Sequence, residues 1–366
     1  MCIYSRSNLS FRSLPYCSRI KFMKYTFLPN TDIKVSKICL GTMTFGNQNT
    51  VEESEEQMNY AINNGVNFFD TAELYPVPAK PESYADTERI VGGWIKKNSN
   101  RDKIILATKI VGPGDYTKHI RTTGFSDKAL FEAVEGSLKR LNTEYIDLYQ
   151  LHWPERITNT FGQRGYKYIE EDRWEDNFER VLQTLKKLID SGKIRQIGIS
   201  NENPWGFMKF LELSKRNLPK MITIQNPYSL LNRLFEIGNA EICIRENAGL
   251  LAYSPLGFGV LSGKYLNGNM PEGSRLKLYP NLIRFSNTKS MQATKMYMEI
   301  AIKYSISLTH LSLAFVNSRP FVTSNIIGAS KLKQLKENIE SINVKLDPEI
   351  LTEIENVQSI IPNPAP

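Results

Sequence analysis

A carboxylate, a phenol, an ammonium and an imidazole stand at or just beyond the ends of short apolar runs in this chain. Asp70 follows the run 66–69, Lys109 follows 104–108, His152 follows 145–151, and Tyr75 lies five residues past Asp70. A charged group closing a buried run is unfavourable unless it is paired, so these four are expected to meet. A phenol titrates near pH 10 and is a poor acid at neutral pH, whereas a neighbouring ammonium favours phenolate. Tyr75 beside Lys109 is therefore expected to have a lowered pKa and to serve as a proton donor. Asp70 would keep Lys109 charged and aimed, and His152 would offer a hydrogen bond to a carbonyl oxygen gaining charge. Such a set reduces a carbonyl if something delivers hydride. No side chain can, so a nicotinamide cofactor is implied.

Taken singly, each residue has a plainer reading. Asp70 could cap a helix or turn, Tyr75 could be a turn aromatic next to Pro76 and Pro78, Lys109 a solvated strand end, and His152 a satisfied core histidine. The combination favours chemistry, because four independent coincidences would otherwise be needed. His119, His152 and His310 lack ligand spacing, so no metal is expected. Trp174 and Trp205 are expected to pack, while Trp153, beside His152, suits either packing or the substrate pocket.

The elements that must position these residues alternate along the chain. Strand-like runs occur at 35–40, 66–69, 104–108, 145–151, 194–199, 222–225, 250–253 and 325–327, each short and nearly continuously apolar, as strands covered on both faces are. Between them, Leu130, Val134, Leu138 and Leu141, and again Val181, Leu185, Leu188 and Ile189, recur at helical spacing. Ser126, Pro204 and Ser330 sit where helix starts are expected. Eight alternations without a linker predict one (β/α)8 TIM barrel, an α/β fold, preceded by a β-hairpin near residues 24–38. An open doubly wound sheet would want a G-x-G-x-x-G turn after its first strand, and Gly41-Thr-Met-Thr-Phe-Gly46 lacks that spacing. Long loops, 153–177 after strand four and 257–288 after strand seven, are expected to be functional. Polar residues at later strand ends, Ser200-Asn201, Gln225 and Tyr253-Ser254, face the same mouth as the four reacting groups.

The chain has 366 residues, 41% hydrophobic and 23% charged, with no apolar stretch of membrane-spanning length. Its net charge of +8 is concentrated at the start, where Arg6, Arg12, Arg19, Lys21 and Lys24 occur without an acid. The remaining +3 forms no stripe suited to nucleic acid. Residues 1–23 read as a basic, Ser/Arg-rich extension, either an organelle transit peptide or a start upstream of Met23, and residues 24–366 as the barrel. Four cysteines without close pairing suit a reducing compartment, and the cytoplasm is the expected one.

The motifs Phe69-Asp-Thr-Ala-Glu-Leu-Tyr75, Leu106-Ala-Thr-Lys109, Tyr145-Ile-Asp-Leu-Tyr-Gln-Leu-His-Trp153, Gly192-Lys-Ile-Arg-Gln-Ile-Gly-Ile-Ser-Asn201 and Ile326-Ile-Gly-Ala-Ser330 resemble the aldo-keto reductase family. Gln225-Asn-Pro-Tyr-Ser-Leu-Leu-Asn-Arg233 and Leu261-Ser-Gly-Lys-Tyr-Leu-Asn-Gly268 resemble its Tas-like branch. The resemblance implies an NADPH-dependent reductase of aldehydes or ketones with Asp70, Tyr75, Lys109 and His152 as its tetrad. It implies that Ser200, Asn201 and Gln225 meet the nicotinamide carboxamide and that Tyr253 stacks on the ring, with Thr42 a further cofactor contact. Ser254, Leu256, Gly257, Lys264 and Arg275 would clamp the phosphates, and Gly328, Ser330, Gln334, Glu337 and Asn338 would meet the adenosine end. Gly328 and Gln334 stand where many members grip the 2′-phosphate with Lys and Arg, so preference for NADPH would rest on Lys264, Arg275 and Lys331 or Lys333. Some relatives of this barrel are cofactor-binding regulatory subunits of membrane channels. Such proteins often lack the histidine, which favours the enzyme here and leaves the channel subunit as the alternative.

Overall fold

The apolar runs pair in parallel in the order in which they occur along the chain. The computed structural model describes residues 23–172 and 174–366. The strands β1 (Ile38–Gly41), β2 (Phe68–Asp70), β3 (Ile105–Ile110), β4 (Ile146–Leu151), β5 (Ile194–Ser200), β6 (Met221–Pro227), β7 (Gly249–Tyr253) and β8 (Val322–Ile327) form a closed barrel in which β8 returns to β1. Helices lie between successive strands, and Pro348–Ile360 follows the last one, Leu332–Glu340. The extension expected at 1–23 lies outside the described residues except for Met23.

Alternation along each strand separates the inside of the barrel from the outside. Ile38, Leu40, Phe69, Leu106 and Ile327 pack outward with Met58, Trp94, Leu141 and Leu335 of the surrounding helices. Cys39, Phe68, Ala107, Leu148 and Leu251 point inward and form an apolar layer, closed from below by Leu28, Ile33 and Val35 of the hairpin. The hairpin pairs Tyr25–Phe27 with Lys34–Ser36.

Two expectations are corrected. The run 35–40 is not one strand, because the chain changes sheets at Lys37. The Lys37 amide donates to the Lys24 carbonyl at 2.8 Å, and its own carbonyl accepts from the Asn325 amide at 2.9 Å. Ser330 does not cap the helix after β8, which begins at Leu332 behind Lys331. The Ser330 amide and hydroxyl instead donate to Gln334 Oε1 at 3.1 and 3.2 Å. The long segment 257–288 after β7 contains short helical turns, Gly257–Ser262, Leu266–Gly268, Arg275–Leu278 and Ile283–Phe285. Segment 153–177 does lack helix and strand among its described residues. Ser126 caps Asp127–Leu141 by accepting from the Ala129 amide, and Pro204 opens Pro204–Ser214, as expected.

Two helices that brace β2 and β3 meet at a position that tolerates no side chain. A Cβ on Gly92, in Asp86–Asn98, would lie 2.1 Å from the backbone oxygen of Arg140 and 2.7 Å from the backbone of Leu141. Backbone cannot swing aside as a side chain can. Gly92→Ala should therefore lower unfolding free energy by about 1–3 kcal/mol in urea titrations, despite the better helix propensity of alanine.

Candidate active site

Above the inward apolar layer the same strand faces turn polar. Asp70 stands two residues past Phe68, Lys109 two past Ala107, Gln150 two past Leu148 and Tyr253 two past Leu251. Lys109 is wholly buried. Its Nζ donates to Asp70 Oδ2 at 2.7 Å, to the Thr71 carbonyl at 2.7 Å and to the Tyr75 hydroxyl at 3.4 Å, so all three ammonium hydrogens have an acceptor. The other carboxylate oxygen, Asp70 Oδ1, accepts from Gln150 Nε2 at 3.1 Å and Gln225 Nε2 at 2.8 Å. The pair is thus desolvated but fully hydrogen-bonded, the condition under which a buried ion pair is tolerated.

Charge and burial compete at each group. Burial pulls the Lys109 pKa down, but Asp70 and Tyr75 together outweigh it, and the ammonium ends above its ordinary value. Tyr75 shows the reverse of what was expected. Burial raises its phenol and exceeds the opposing pull of Lys109, with Asp70 adding to the rise, so Tyr75 holds its proton more firmly than a free phenol. Burial, with Lys109 second, pushes His152 well below its usual range, so the imidazole is neutral. The His152 ring meets Tyr75 edge-on at 5.8 Å, and its buried Nδ1 has no protein partner among the described residues.

Around this cluster opens a cavity of about 430 Å³. Its wall includes Thr42, Asp70, Tyr75, His152, Ser200, Asn201, Gln225, Tyr253, Ser254, Leu256, Lys264, Arg275, Gly328, Ser330, Gln334, Glu337 and Asn338. Lys109 and Gly257 stand off the wall. Lys109 lies behind Asp70 and Tyr75, and a Cβ on Gly257 would meet Phe285 and Leu231, with the residue itself at φ +51° making the turn. At one end the Ser200 hydroxyl donates to the Gln225 carbonyl at 2.7 Å, Asn201 Nδ2 to the His152 carbonyl at 2.9 Å, and the Tyr253 hydroxyl to Asn201 Oδ1 at 2.6 Å. Asn201 has φ +54°, a conformation asparagine adopts more readily than most residues. At the other end Asn338 Nδ2 donates to the Gly328 carbonyl at 3.2 Å, and Glu337 Oε1 accepts from Ser307. Lys264 and Arg275 lie over the rings of Tyr265 and Phe258 and meet no carboxylate among the described residues. Lys331 is engaged by Glu53 at 3.0 Å, and neither it nor Lys333 reaches the wall.

Gln150 and Arg284 escaped the sequence reading. Gln150 was legible from its two-residue offset past Leu148. Arg284, on the wall within segment 257–288, carried no signal, because turns of that kind have no fixed period. Trp153 resolves to the wall, 4.9 Å ring to ring from His152, while Trp174 packs on Phe178 and Trp205.

Comparison with known proteins finds similarity over most of the chain. The model of the aldo/keto reductase family matches residues 37–359. The chain is 46% identical over 352 residues to Protein tas of Escherichia coli, covering 94% of this chain and all of the relative. It is 32% identical to the uncharacterized oxidoreductase YrpG of Bacillus subtilis, over 92% of this chain and 96% of that one. It is also 31% identical, over the same shares, to a probable voltage-gated potassium channel subunit beta of Oryza sativa.

The neutral His152 has a measurable consequence. Below its ordinary pKa of 6.5 the unfolded chain takes up a proton there and the native state does not. Stability is therefore whole above pH 6.5 and is lost as the pH falls toward the folded pKa. Between about pH 7.5 and about pH 5.5, wild type should lose about 1 kcal/mol more in urea unfolding than His152→Gln does.

Proposed function

The chain belongs to the aldo/keto reductase family of nicotinamide-dependent oxidoreductases, and we propose that it reduces aldehydes or ketones to alcohols with NADPH, Tyr75 acting as general acid. The observation that carries this reading is the Asp70–Lys109–Tyr75 chain ending beside a neutral His152 on one wall of the cavity. The residues present fit a dinucleotide: amide and hydroxyl groups of Ser200, Asn201 and Gln225 at one end, Lys264 and Arg275 without acid partners among the described residues, and at the other Gly328 and Ser330 with the first turns of the helix Leu332–Glu340.

When bound, the nicotinamide supplies hydride to the carbonyl carbon. The rest falls to the chain itself. His152, neutral and held under Trp153, donates a hydrogen bond to the carbonyl oxygen. Tyr75 keeps its proton until that oxygen acquires alkoxide character, then transfers it, forming the alcohol O–H bond. Its raised pKa suits this order, since an alkoxide is a far stronger base than a phenolate. Lys109 stabilises the phenolate left behind, Asp70 holds Lys109, and solvent later returns the proton. Lys264 and Arg275 supply charge for the phosphates, and preference for NADPH over NADH rests on them. Cys39 and Cys243, both buried and free, suit the reducing cytoplasm.

Fluorescence titration with NADPH, followed by turnover on a small aldehyde panel, tests the reading. Tyr75→Phe should bind NADPH as wild type does while its turnover falls by about 10²–10⁴. Wild-type turnover in that variant would remove Tyr75 from the mechanism. Tight NADPH binding with no turnover of any carbonyl would favour a cofactor-binding channel subunit instead, as the name of the Oryza relative suggests for that protein.

A further inference from the structure

We propose that Arg156 and Glu202 are positioning residues, a buried ion pair that fixes the His152 side of the cavity against the Asn201 side; this rests on the reductase reading above. Neither side chain lines the cavity. Arg156 lies in the segment after β4, one helical turn's worth of chain past His152, and Glu202 directly follows Asn201 after β5. Arg156 Nη1 donates to Glu202 Oε2 at 2.8 Å, and Nη2 donates to Oε1 at 2.5 Å. The two side chains are only 9% and 4% exposed, and the guanidinium lies over the rings of Trp205 at 4.9 Å and Phe178 at 5.7 Å. Gly206 leaves room for the pair, since a Cβ there would lie 2.5 Å from Glu202 Cδ and 2.6 Å from Arg156 Nη2. A buried ion pair adds little stability over an apolar pair of the same volume. Its two-point contact does fix the separation and orientation of the segments that carry it.

These segments need such a tie, because backbone pairing between β4 and β5 ends where Leu151 meets Ile199. Every functional residue of either side lies at or beyond that point. Past it, side chains continue the ladder. Asn201 Nδ2 donates to the His152 carbonyl at 2.9 Å, Glu202 takes Arg156, and Asn203 Nδ2 donates to Thr158 Oγ1 at 2.9 Å and to the Asn159 carbonyl at 2.8 Å. Three successive residues of one segment thus hold successive points of the other, and the middle rung is the charged one. Glu202 is itself held, its Oε1 accepting from the Asn203 amide at 2.6 Å and its carbonyl from Asn226 Nδ2 at 2.9 Å. On the far side of Arg156, the neighbouring Glu155 accepts from the Phe125 amide at 2.6 Å and from Asn177 Nδ2 at 2.7 Å, so the chain leaving Trp153 is gripped from both directions. In the proposed reduction the carbonyl oxygen meets His152 while the nicotinamide meets Ser200 and Asn201. The spacing of the reacting carbons then follows from how these two segments stand to one another, and small displacements there are costly in rate.

The test compares wild type, Arg156→Met and Arg156→Lys in the full chain with benzaldehyde and with NADPH carrying hydrogen or deuterium at the nicotinamide C4. In Arg156→Met, kcat should fall about 10–100-fold while the benzaldehyde KM and the NADPH dissociation constant stay within about threefold. The deuterium isotope effect on kcat should rise, and Arg156→Lys should recover part of both changes. A second readout needs no turnover. The chain has three histidines, so ring resonances of ¹⁵N-histidine-labelled protein are few, and His152→Gln identifies those of His152. Saturating NADP should shift them in wild type, and that shift should be largely lost in Arg156→Met. If Arg156→Met does not fold, Glu202→Gln, which keeps an acceptor for the Asn203 amide, takes its place with the same expected results. An unchanged kcat, or a His152 shift that is absent in wild type or survives the substitution, overturns the inference. Loss of NADPH affinity by the same factor as kcat assigns the pair to cofactor binding alone and overturns it too. If wild type turns over no aldehyde, the reductase reading fails, and the His152 resonances alone decide the role of the pair.

Discussion

A positive charge at a point that solvent does not reach is the constraint around which this barrel mouth is built. The Lys109 ammonium is stable there only because each of its hydrogens has an acceptor and one acceptor is a carboxylate. That carboxylate is in turn bonded by two glutamines, from β4 and β6. Four strands are thereby tied to one another through side chains at the height where the chemistry occurs. Removing Asp70 would leave the Lys109 ammonium buried without a counter-charge, so the carboxylate is the member the cluster tolerates losing least.

Support for Lys109 extends behind its strand. Thr108 faces the opposite way and its hydroxyl donates to Glu88 Oε1 at 2.6 Å, and Glu88 is held by Arg140. Beyond Lys109, the Val111 amide donates to Glu73 Oε1 at 2.8 Å, and Glu73 is held by Arg121. Both carboxylates are buried, and both are paired. At the other end of β3, Asp147 takes the Leu106 amide at 2.9 Å along with Arg101 and Arg195. The strand carrying the ammonium is pinned along its length by ionic side chains, which narrows the positions Nζ can occupy relative to Tyr75.

How much of this was legible depends on the range of each signal. Strand runs and helical spacing are local, so the barrel and the tetrad positions could be read from short stretches. Lys37 was misread because a strand that changes sheets looks continuous in sequence; only its partners, Lys24 and Asn325, distinguish the two halves. Ser330 was misread because a cap and a turn use the same residue type, and Gln334 decided between them. The direction of the Tyr75 pKa was misjudged for a different reason. An ammonium nearby can be inferred from spacing, but the extent of burial belongs to the closed structure, and at Tyr75 burial is the larger effect. Arg284 was invisible because its place on the wall comes from contacts 82 positions apart in the chain, with Pro366, and from proximity to a loop after β4.

The distribution of acids completes the electrostatic logic. Within the cavity the one carboxylate at the reacting end, Asp70, is already committed to Lys109. Lys264 and Arg275 meet no carboxylate among the described residues, and charge left uncompensated in a region of reduced dielectric is unfavourable for the empty fold. A bound anion would neutralise them, and the reading proposed above gives that place to the phosphates of a dinucleotide. Arg275 bears out the strain, its pKa pulled down chiefly by burial. In the proposed reduction the same positive field would also lower the energy of negative charge developing on the carbonyl oxygen. On that reading, leaving Lys264 and Arg275 unpaired at a mouth where Lys109 is so fully paired would serve binding and chemistry with one arrangement.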